Sequence, residues 1–233
     1  QVFELKNKGK NVILVSSGAI GIGCEALGFQ ERPQSIPLKQ ATAAVGQSIL
    51  MQEWIKVFEK YGLKVAQILL TYDAFSDRKT YLNLRNSMSS LLELGVIPII
   101  NENDPICVHE IGETFGDNDT LSAMVSSKVE ADLLILMTDI DGLYTKNPKK
   151  SKDAVKIPII EEITSEIESF GGGAGDKGTG GMKTKLDAAK IAQKSGCFMI
   201  IASSDEKDLI IRTLNGEDIG TLFIPKKNVE KNK

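Results

Sequence analysis

The stretch Val96-Ile-Pro-Ile-Ile-Asn-Glu-Asn-Asp104 decides how this chain folds, because an apolar run passes directly into a polar cluster. Successive apolar side chains are typical of a strand that is buried on both faces. A second polar cluster, Gly116-Asp-Asn-Asp119, follows soon after. Open α/β sheets bind ligands beyond the carboxyl ends of their strands, so the two clusters indicate a site for a small polar molecule. A pair of surface turns is the alternative, since Asn, Asp and Gly also dominate turns.

Short apolar runs of the same kind recur along the chain, with longer helical patterns between them. Strands are predicted at residues 11–16, 64–70, 96–100, 131–137 and 198–202. Helices are predicted at residues 37–61, 77–94, 119–129 and 182–194, with Asp77 as an N-cap and Gly95 and Gly196 at C-terminal ends. This alternation predicts an α/β fold, a three-layer α/β/α sandwich with a largely parallel central sheet.

The composition is that of a soluble globular protein. The 233 residues are 42% hydrophobic and 25% charged, and the net charge of -3 argues against a nucleic-acid partner. No apolar run approaches the roughly 20 residues that span a bilayer, so no membrane partner is expected. Cys24, Cys107 and Cys197 are odd in number and far apart, which favours buried thiols and a reducing, cytoplasmic location over disulfides or a zinc site.

A glycine-rich segment, residues 171–181, has seven glycines in eleven positions and leads into Met182-Lys-Thr-Lys185 at the start of a helix. Unhindered backbone amides, a helix N-terminus and the charge of Lys183 or Lys185 suit the phosphates of a nucleotide. The segment is not a Walker A motif, because no glycine directly precedes its Lys-Thr pair. A flexible surface loop is the alternative interpretation.

Residues 21–26, Gly-Ile-Gly-Cys-Glu-Ala, match the dinucleotide-binding pattern G-x-G-x-x-A. A dehydrogenase is nevertheless disfavoured, because Pro33 and Pro37 interrupt the following unit and no acidic residue lies about 20 positions on. The preceding Ser16-Ser-Gly-Ala19 follows a predicted strand. Its hydroxyls and amides could hold a carboxylate, or a serine there could simply cap a helix.

Two further features bear on the chemistry. Thr138 and Asp139 leave a central strand for a turn, where they could contact an adenosine or belong to an ordinary turn. His109 is the only histidine, and a solvated loop residue is favoured over a catalytic base. Transfer of a phosphoryl group to a carboxylate needs no base, because the carboxylate is already ionised at neutral pH.

Several of these segments occur together as motifs in a fixed order. They are residues 15–20 (Val-Ser-Ser-Gly-Ala-Ile), 43–47 (Ala-Ala-Val-Gly-Gln), 100–104 (Ile-Asn-Glu-Asn-Asp), 116–119 (Gly-Asp-Asn-Asp), 138–144 (Thr-Asp-Ile-Asp-Gly-Leu-Tyr) and 178–185 (Gly-Thr-Gly-Gly-Met-Lys-Thr-Lys). From about residue 10 to Phe223 the chain resembles the glutamate 5-kinases of the amino-acid kinase superfamily. The resemblance implies ATP- and Mg²⁺-dependent phosphorylation of the γ-carboxylate of L-glutamate, the first step of proline biosynthesis, with proline as feedback inhibitor. The alternatives are a kinase of the same fold for another acid or phosphate, and an inactive amino-acid sensor.

The resemblance also implies roles for individual residues. Those implied to bind the acceptor substrate are Ser17, Gly18, Ala19, Asn101, Asp104, Asp117 and Asn118. Those implied to bind the nucleotide are Thr138, Asp139, Thr179, Gly180, Gly181, Met182, Lys183, Thr184 and Lys185. Lys185 would stabilise charge on the transferring phosphoryl group, and Asp119 would orient it. Mg²⁺ is implied to be held mainly by the phosphates, so no protein ligand to the metal is named.

The resemblance extends to the boundaries of the domain. Residues 1–225 are expected to form one amino-acid kinase domain, and residues 226–233 a frayed tail. An N-terminal strand carrying Lys-x-Gly-Ser is implied but has no match in residues 1–10, which favours a truncated chain over a protein that is not a competent kinase. No C-terminal PUA domain, which many relatives carry, is expected here.

One apolar stripe has two interpretations. Leu50, Trp54, Phe58 and Tyr61 recur at spacings of three and four on the helix predicted at residues 37–61, a pattern that ordinarily faces the core. The resemblance favours an interface instead, because amino-acid kinases form dimers and tetramers. We therefore expect a homo-oligomer, at least a two-fold symmetric dimer, whose interface buries part of this helix together with the segment before it.

Overall fold

The computed structural model describes residues 1–107, 118–148, 150–171 and 181–226. Within the chain two units are distinguished, Val2–Asn118 and Asp119–Lys233, the second joined by Gln1. All strand pairs of the first unit are parallel, as are two of the three pairs in the larger sheet of the second unit. The predicted α/β class with mostly parallel strands is therefore confirmed.

The first unit is a three-stranded parallel sheet with helices. Its helices are α1 (Val2–Asn7), α2 (Ala19–Ala26), α3 (Ile36–Glu59), α4 (Asp73–Ser76) and α5 (Arg78–Glu93), and its strands are β1 (Leu14–Val15), β2 (Val65–Leu70) and β3 (Ile97–Glu102). The sheet order is β1-β3-β2, with Leu14 opposite Ile99 and Val65 opposite Ile97. A 3₁₀ turn, Asp104–Ile106, follows β3 directly.

Strand β3 lies between β1 and β2 in this sheet, and its first four residues, 97–100, are apolar on both faces. Every residue from Ile97 to Asn101 is buried, and only Glu102 at the end is partly exposed. Met51 and Phe58 of α3 pack on Ile97 and Ile99, and Trp54 joins the same cluster. The predicted apolar stripe therefore contributes to the core of its own unit at Trp54 and Phe58, and the expected interface on this helix stays a prediction.

Helices α2 and α3 are in backbone contact at two glycines. A Cβ atom on Gly23 would lie 1.8 Å from the carbonyl oxygen of Thr42, and one on Gly46 would lie 1.8 Å from that of Ala19. Gly23 is the second glycine of the G-x-G-x-x-A pattern, and all six residues of that pattern lie within α2. Close helix packing therefore accounts for this glycine, without any bound dinucleotide.

The helix ends in this unit follow the predicted capping residues. The Asp77 carboxylate accepts a hydrogen bond from the Thr80 amide at 2.6 Å, which satisfies a donor that the first turn of a helix leaves free. After α5, Gly95 has φ 74° and the Val96 amide donates to the Leu91 carbonyl at 2.9 Å. Both predictions for the helix at residues 77–94 are confirmed.

The second unit contains the remaining elements. Its helices are α6 (Asn118–Lys128), which starts at the last residue of the first unit, α7 (Ser165–Phe170), α8 (Met182–Lys194) and α9 (Leu209–Leu214). Its strands are β4 (Leu133–Thr138), β5 (Leu143–Tyr144), β6 (Lys156–Ile157), β7 (Ile159–Ile160), β8 (Phe198–Ser203) and β9 (Gly220–Phe223). The larger sheet has the order β4-β8-β9-β7, and β5 pairs with β6 separately.

Helices cover both faces of the β4–β8 pair. On one face, Leu134, Met199 and Ile201 pack with Leu186 and Ala189 of α8. On the other, Ile135 and Ala202 pack with Leu209 of α9. Strand residues of alternate parity face opposite sides of a sheet, so this unit has the helix–sheet–helix layering that the sequence predicts. Among the described residues, none of the helices combines the length with the apolar character that a membrane span requires.

Candidate active site

Buried carboxamides form a network where β3 ends in the first unit. The Asn101 side chain, only 3% exposed, donates from Nδ2 to Gln47 Oε1 of α3 at 2.8 Å. Its Oδ1 accepts from the Glu102 amide at 2.9 Å and from Asn118 Nδ2 at 3.2 Å. A buried amide costs free energy unless both of its ends are bonded, and here both ends of Asn101 are. The network fixes Asn101 and Asn118 side by side.

Ser16, at the end of β1, extends this network. Asn118 Nδ2 also donates to the Ser16 carbonyl, and the Trp54 indole donates to Ser16 Oγ at 3.1 Å. The serine is buried, whereas Ser17 next to it is exposed. Trp54 thus has a polar function besides its packing, since it holds the residue that precedes the predicted substrate residue Ser17.

The turn after β1 depends on glycine. Gly18 has φ 97° and occupies the N-cap position of α2, where no side chain makes a capping hydrogen bond. Residues with a Cβ atom rarely adopt that φ. The serines are therefore not caps, as one interpretation of the sequence had it, and the hydroxyl of Ser17 lies exposed before the buried first residue of α2, Ala19.

Asp104 starts the 3₁₀ turn after β3 and is partly buried. The same turn ends in Cys107, whose thiol donates to Glu102 Oε1 at 2.9 Å. Burial, followed by this hydrogen bond and the negative charge of Glu102, raises the pKa of the Cys107 thiol to about 12. A thiol that stays protonated at neutral pH is a poor nucleophile, which agrees with the interpretation of the cysteines as buried apolar residues.

A charged cluster in the second unit forms where α8 begins. Lys185, 7% exposed, places Nζ 3.0 Å from Asp119 Oδ2. Thr184 Oγ1 lies 3.2 Å from the same carboxylate oxygen and 2.8 Å from the Gly181 carbonyl. Removing a lysine ammonium from water is costly unless a charge or a ligand compensates it. Asp119 therefore holds the buried ammonium group of Lys185 in one position.

The other predicted nucleotide residues lie at strand and helix ends of the same unit. Thr138 is the last residue of β4, its Oγ1 donates to Asp139 Oδ1 at 3.1 Å, and its carbonyl accepts from the Ser204 amide at 2.7 Å. Helix α8 leads into β8, which runs parallel to β4, so the helix starts toward the carboxyl edge of the sheet. Of its first-turn residues, Met182 is partly buried in the core and Lys183 is exposed.

The structure brings together some predicted site residues. Asn101 joins Asn118 in one network, and Lys185, Thr184 and Asp119 form the other; Asn118 and Asp119 are consecutive residues at the start of α6. Their functional roles stay predictions. Residues 108–117, 149, 172–180 and 227–233 lie outside the described residues, and with them the predictions for Asp117, Thr179, Gly180, His109 and most of the glycine-rich segment.

Sequence reasoning assigned no role to Gln47, although it lies in a motif that was singled out. One local feature could have indicated a role for Gln47, namely that it is a polar residue on the otherwise apolar side of a helix, at the end of Ala43-Ala-Val-Gly-Gln47. Its partner Asn101 lies 54 positions away, so no local pattern links the two. Among the described residues, no group of three or more His, Cys, Asp or Glu side chains could hold a metal ion.

Comparison with known proteins gives one consistent family. A sequence profile described as the amino acid kinase family matches residues 1–203. A curated glutamate 5-kinase of Methanococcoides burtonii is 64% identical over 234 residues, which cover 100% of this chain and 62% of that protein. One of Clostridium acetobutylicum is 53% identical over 227 residues, covering 97% of this chain and 84% of that protein. The chain thus spans about three fifths of the length of the first relative.

Solved structures show the same fold at low sequence identity. An isopentenyl phosphate kinase of T. acidophilum in a product complex has a TM-score of 0.62 at 16% identity, covering 95% of this chain and 87% of that chain. A second isopentenyl phosphate kinase structure has a TM-score of 0.57 at 19% identity, covering 94% and 87%. At these identities the likeness establishes the fold alone.

Proposed function

This chain belongs to the amino acid kinase family, and on that premise we propose that it catalyses ATP-dependent phosphorylation of the γ-carboxylate of L-glutamate. The observation that carries the choice of L-glutamate is the identity above 50% to curated glutamate 5-kinases. The reaction would be the first step of proline biosynthesis. Two geometric features support it, the carboxamide network of the first unit and the lysine–aspartate pair of the second.

The proposed reaction is a direct phosphoryl transfer. An oxygen of the γ-carboxylate forms a bond to the γ-phosphorus of ATP while the bond to the β,γ-bridging oxygen breaks, giving γ-glutamyl phosphate and ADP. The acceptor carboxylate is ionised at neutral pH, so no proton has to be removed. The protein's tasks are to position the two reactants and to stabilise the negative charge of the transition state.

We assign the stabilisation of charge to Lys185. Its ammonium is nearly buried and lies 3.0 Å from Asp119, which fixes Nζ in place before substrates bind. A preorganised charge stabilises a transition state more than a mobile one, because it need not be ordered during the reaction. Asp119 and Thr184 would thereby orient Lys185, while Thr138, Asp139, Gly181, Met182 and Lys183 would contact the nucleotide.

Mg²⁺ is proposed to arrive bound to the phosphates of ATP. The described residues contain no cluster of three metal-binding side chains, and the Asp119 carboxylate is already bonded to Lys185 and Thr184.

The activity is tested with a panel of acceptors. The full-length protein, given ATP, Mg²⁺ and hydroxylamine, should form hydroxamate from L-glutamate in preference to aspartate or N-acetylglutamate. Formation from either of the latter but not from L-glutamate would overturn the proposal in favour of another acid kinase. Binding of L-glutamate without any ADP formation would indicate an amino-acid sensor.

Asp104 is expected to hold the substrate rather than to act in transfer. A carboxylate at the end of β3 suits the α-ammonium of L-glutamate, and this ion pair exists in both the ground state and the transition state. Asp104→Ala should therefore raise the KM for L-glutamate about tenfold or more and leave the KM for ATP nearly unchanged. Steady-state kinetics measure both, with Asp153→Ala at an exposed position as the control. An unchanged glutamate KM would remove Asp104 from the substrate site.

Three further properties of the protein are proposed: its feedback inhibition, its cellular location and the bounds of its kinase domain. L-Proline, the end product of the pathway, is proposed to inhibit the reaction. A cytoplasmic location is supported by Cys24, Cys107 and Cys197, whose thiols are buried and are not joined in disulfides. Residues 1–225 are proposed to act together as one kinase domain, since the family match extends across both units.

A homo-oligomer, at least a dimer, is also proposed, with its interface on the exposed end of α3 and the segment after it. Tyr61 is 56% exposed and its ring lies 5.5 Å from that of Phe3, so an apolar surface remains there although Trp54 and Phe58 are committed to the core. Tyr61→Glu should dissociate the oligomer in light scattering without a large loss of thermal stability. Leu94→Glu, at a 77% exposed residue, is the control. A monomeric wild-type protein, or dissociation by the Leu94 variant alone, would contradict this placement.

A further inference from the structure

Gln47 of α3 is a buried carboxamide with one bonded end. Its side chain is 8% exposed, and its Oε1 accepts from Asn101 Nδ2 at 2.8 Å. Among the described residues, Nε2 of Gln47 has no hydrogen-bond partner. The one buried side-chain oxygen or nitrogen that lacks a partner there is Thr213 Oγ1, so the Gln47 Nε2 retains access to solvent.

The orientation of these carboxamides is set by backbone groups. The Glu102 amide can only donate, so Asn101 must turn its oxygen toward it. The nitrogen of Asn101 then faces Gln47, which must turn its own oxygen inward. The Ser16 carbonyl can only accept, so Asn118 must turn its nitrogen toward it. Each side chain is thereby fixed in one of its two amide orientations.

This leaves a donor at one end of the network and an acceptor at the other. The Nε2 group of Gln47 can only donate, and the Oδ1 atom of Asn118 can only accept. An α-amino acid carries a carboxylate, which accepts, and an ammonium, which donates. The donor suits the carboxylate of an amino acid and the acceptor suits its ammonium. A dicarboxylic acid lacks the ammonium, and an amine without an α-carboxylate lacks the partner for the donor.

We propose that Gln47 determines specificity for an α-amino acid by donating from Nε2 to the α-carboxylate of the acceptor substrate. The inference rests on the proposed function, since it names a contact within the same site. Asn118 Oδ1 accepts from the α-ammonium at the other end. A merely structural Gln47 would support the fold through Asn101 alone.

Gln47→Glu separates these two roles. The glutamate side chain keeps an oxygen for Asn101 Nδ2 but replaces the outward donor with a second oxygen. The affinity of the Gln47→Glu protein is compared with that of the wild-type full-length protein by calorimetry at pH 8, well above the solution pKa of a glutamate carboxyl. The ligands are L-glutamate, glutarate, which lacks the ammonium, and 4-aminobutyrate, which lacks the α-carboxylate. Gln52→Glu, at an exposed position of the same helix, controls for the added charge.

We expect Gln47→Glu to weaken L-glutamate and glutarate about tenfold or more, the value of a hydrogen bond to a charged group. The affinity for 4-aminobutyrate should stay within about twofold, and Gln52→Glu should change none of the three. Equal weakening of all three ligands, or of none, would overturn the role of Gln47. A wild-type protein that fails to phosphorylate L-glutamate would instead overturn the proposed function, and the acceptor panel reads that outcome separately.

Discussion

Replacing Lys185 by methionine is expected to lower kcat by about two orders of magnitude or more, with a much smaller change in the KM for ATP. Methionine has a similar length but no charge, so the ammonium held 3.0 Å from Asp119 is lost while the helix start is kept. A preorganised charge that interacts mainly with the transition state contributes to kcat rather than to ground-state binding. Steady-state kinetics at saturating L-glutamate give both constants.

The control for Lys185→Met is Lys194→Met, at an exposed position in the last turn of the same helix. That variant should have unchanged kinetics. Thermal unfolding is measured alongside, because the substitution leaves the Asp119 carboxylate without its lysine partner and lowers stability. A Lys185→Met protein with near-normal kcat and a lowered Tm would assign the pair to the fold rather than to transfer.

Gly46→Ala is expected to cost about 3 kcal/mol or more of unfolding free energy, a lowering of Tm by about 6–12 °C for a chain of this size. The added Cβ would lie 1.8 Å from the Ala19 carbonyl oxygen and 2.5 Å from the Gly23 nitrogen. Both contacts are to backbone, so no side chain can rotate away and the two helices must separate. Thermal or denaturant unfolding measures the loss.

Gly21→Ala is the matched control for this prediction. Gly21 lies in α2, two residues before Gly23, and a Cβ there would meet nothing within 4 Å. The same substitution should therefore stabilise the protein by about 0.5–1 kcal/mol, because alanine favours a helix over glycine. If the two variants had equal stability, the close approach of α2 and α3 would not exist in solution.

Helix separation should also affect the acceptor site. Gly46 is followed by Gln47, which bonds Asn101, and Gly23 lies in the helix that begins after Ser17 and Gly18. A shift of α3 against α2 therefore moves Gln47 relative to the turn at Ser17. We expect the residual folded Gly46→Ala protein to have a raised KM for L-glutamate.

The sequence by itself determined the elements of the fold that depend on local pattern. The strands at residues 64–70, 96–100, 131–137 and 198–202 and the helix at 182–194 were located within about two residues at each end, because periodicity reports directly on burial. The capping role of Asp77 could also be predicted, because the residue directly precedes a helical pattern. The first polar cluster, residues 101–104, lies at the end of β3 and just after it, as predicted, whereas residues 116 and 117 of the second cluster lie outside the described residues.

Only the tertiary structure decided which residues meet. Gln47 and Asn101 are 54 positions apart and Lys185 and Asp119 are 66 apart, and no local periodicity records such pairs. Trp54 was assigned by its spacing to a stripe that fits either a core or an interface, and the sheet beneath it places it in the core. The G-x-G pattern of α2 had a similar ambiguity, since glycine serves both phosphate binding and helix contact. Local sequence constrains backbone conformation and burial, whereas hydrogen bonds between distant side chains depend on how the elements pack.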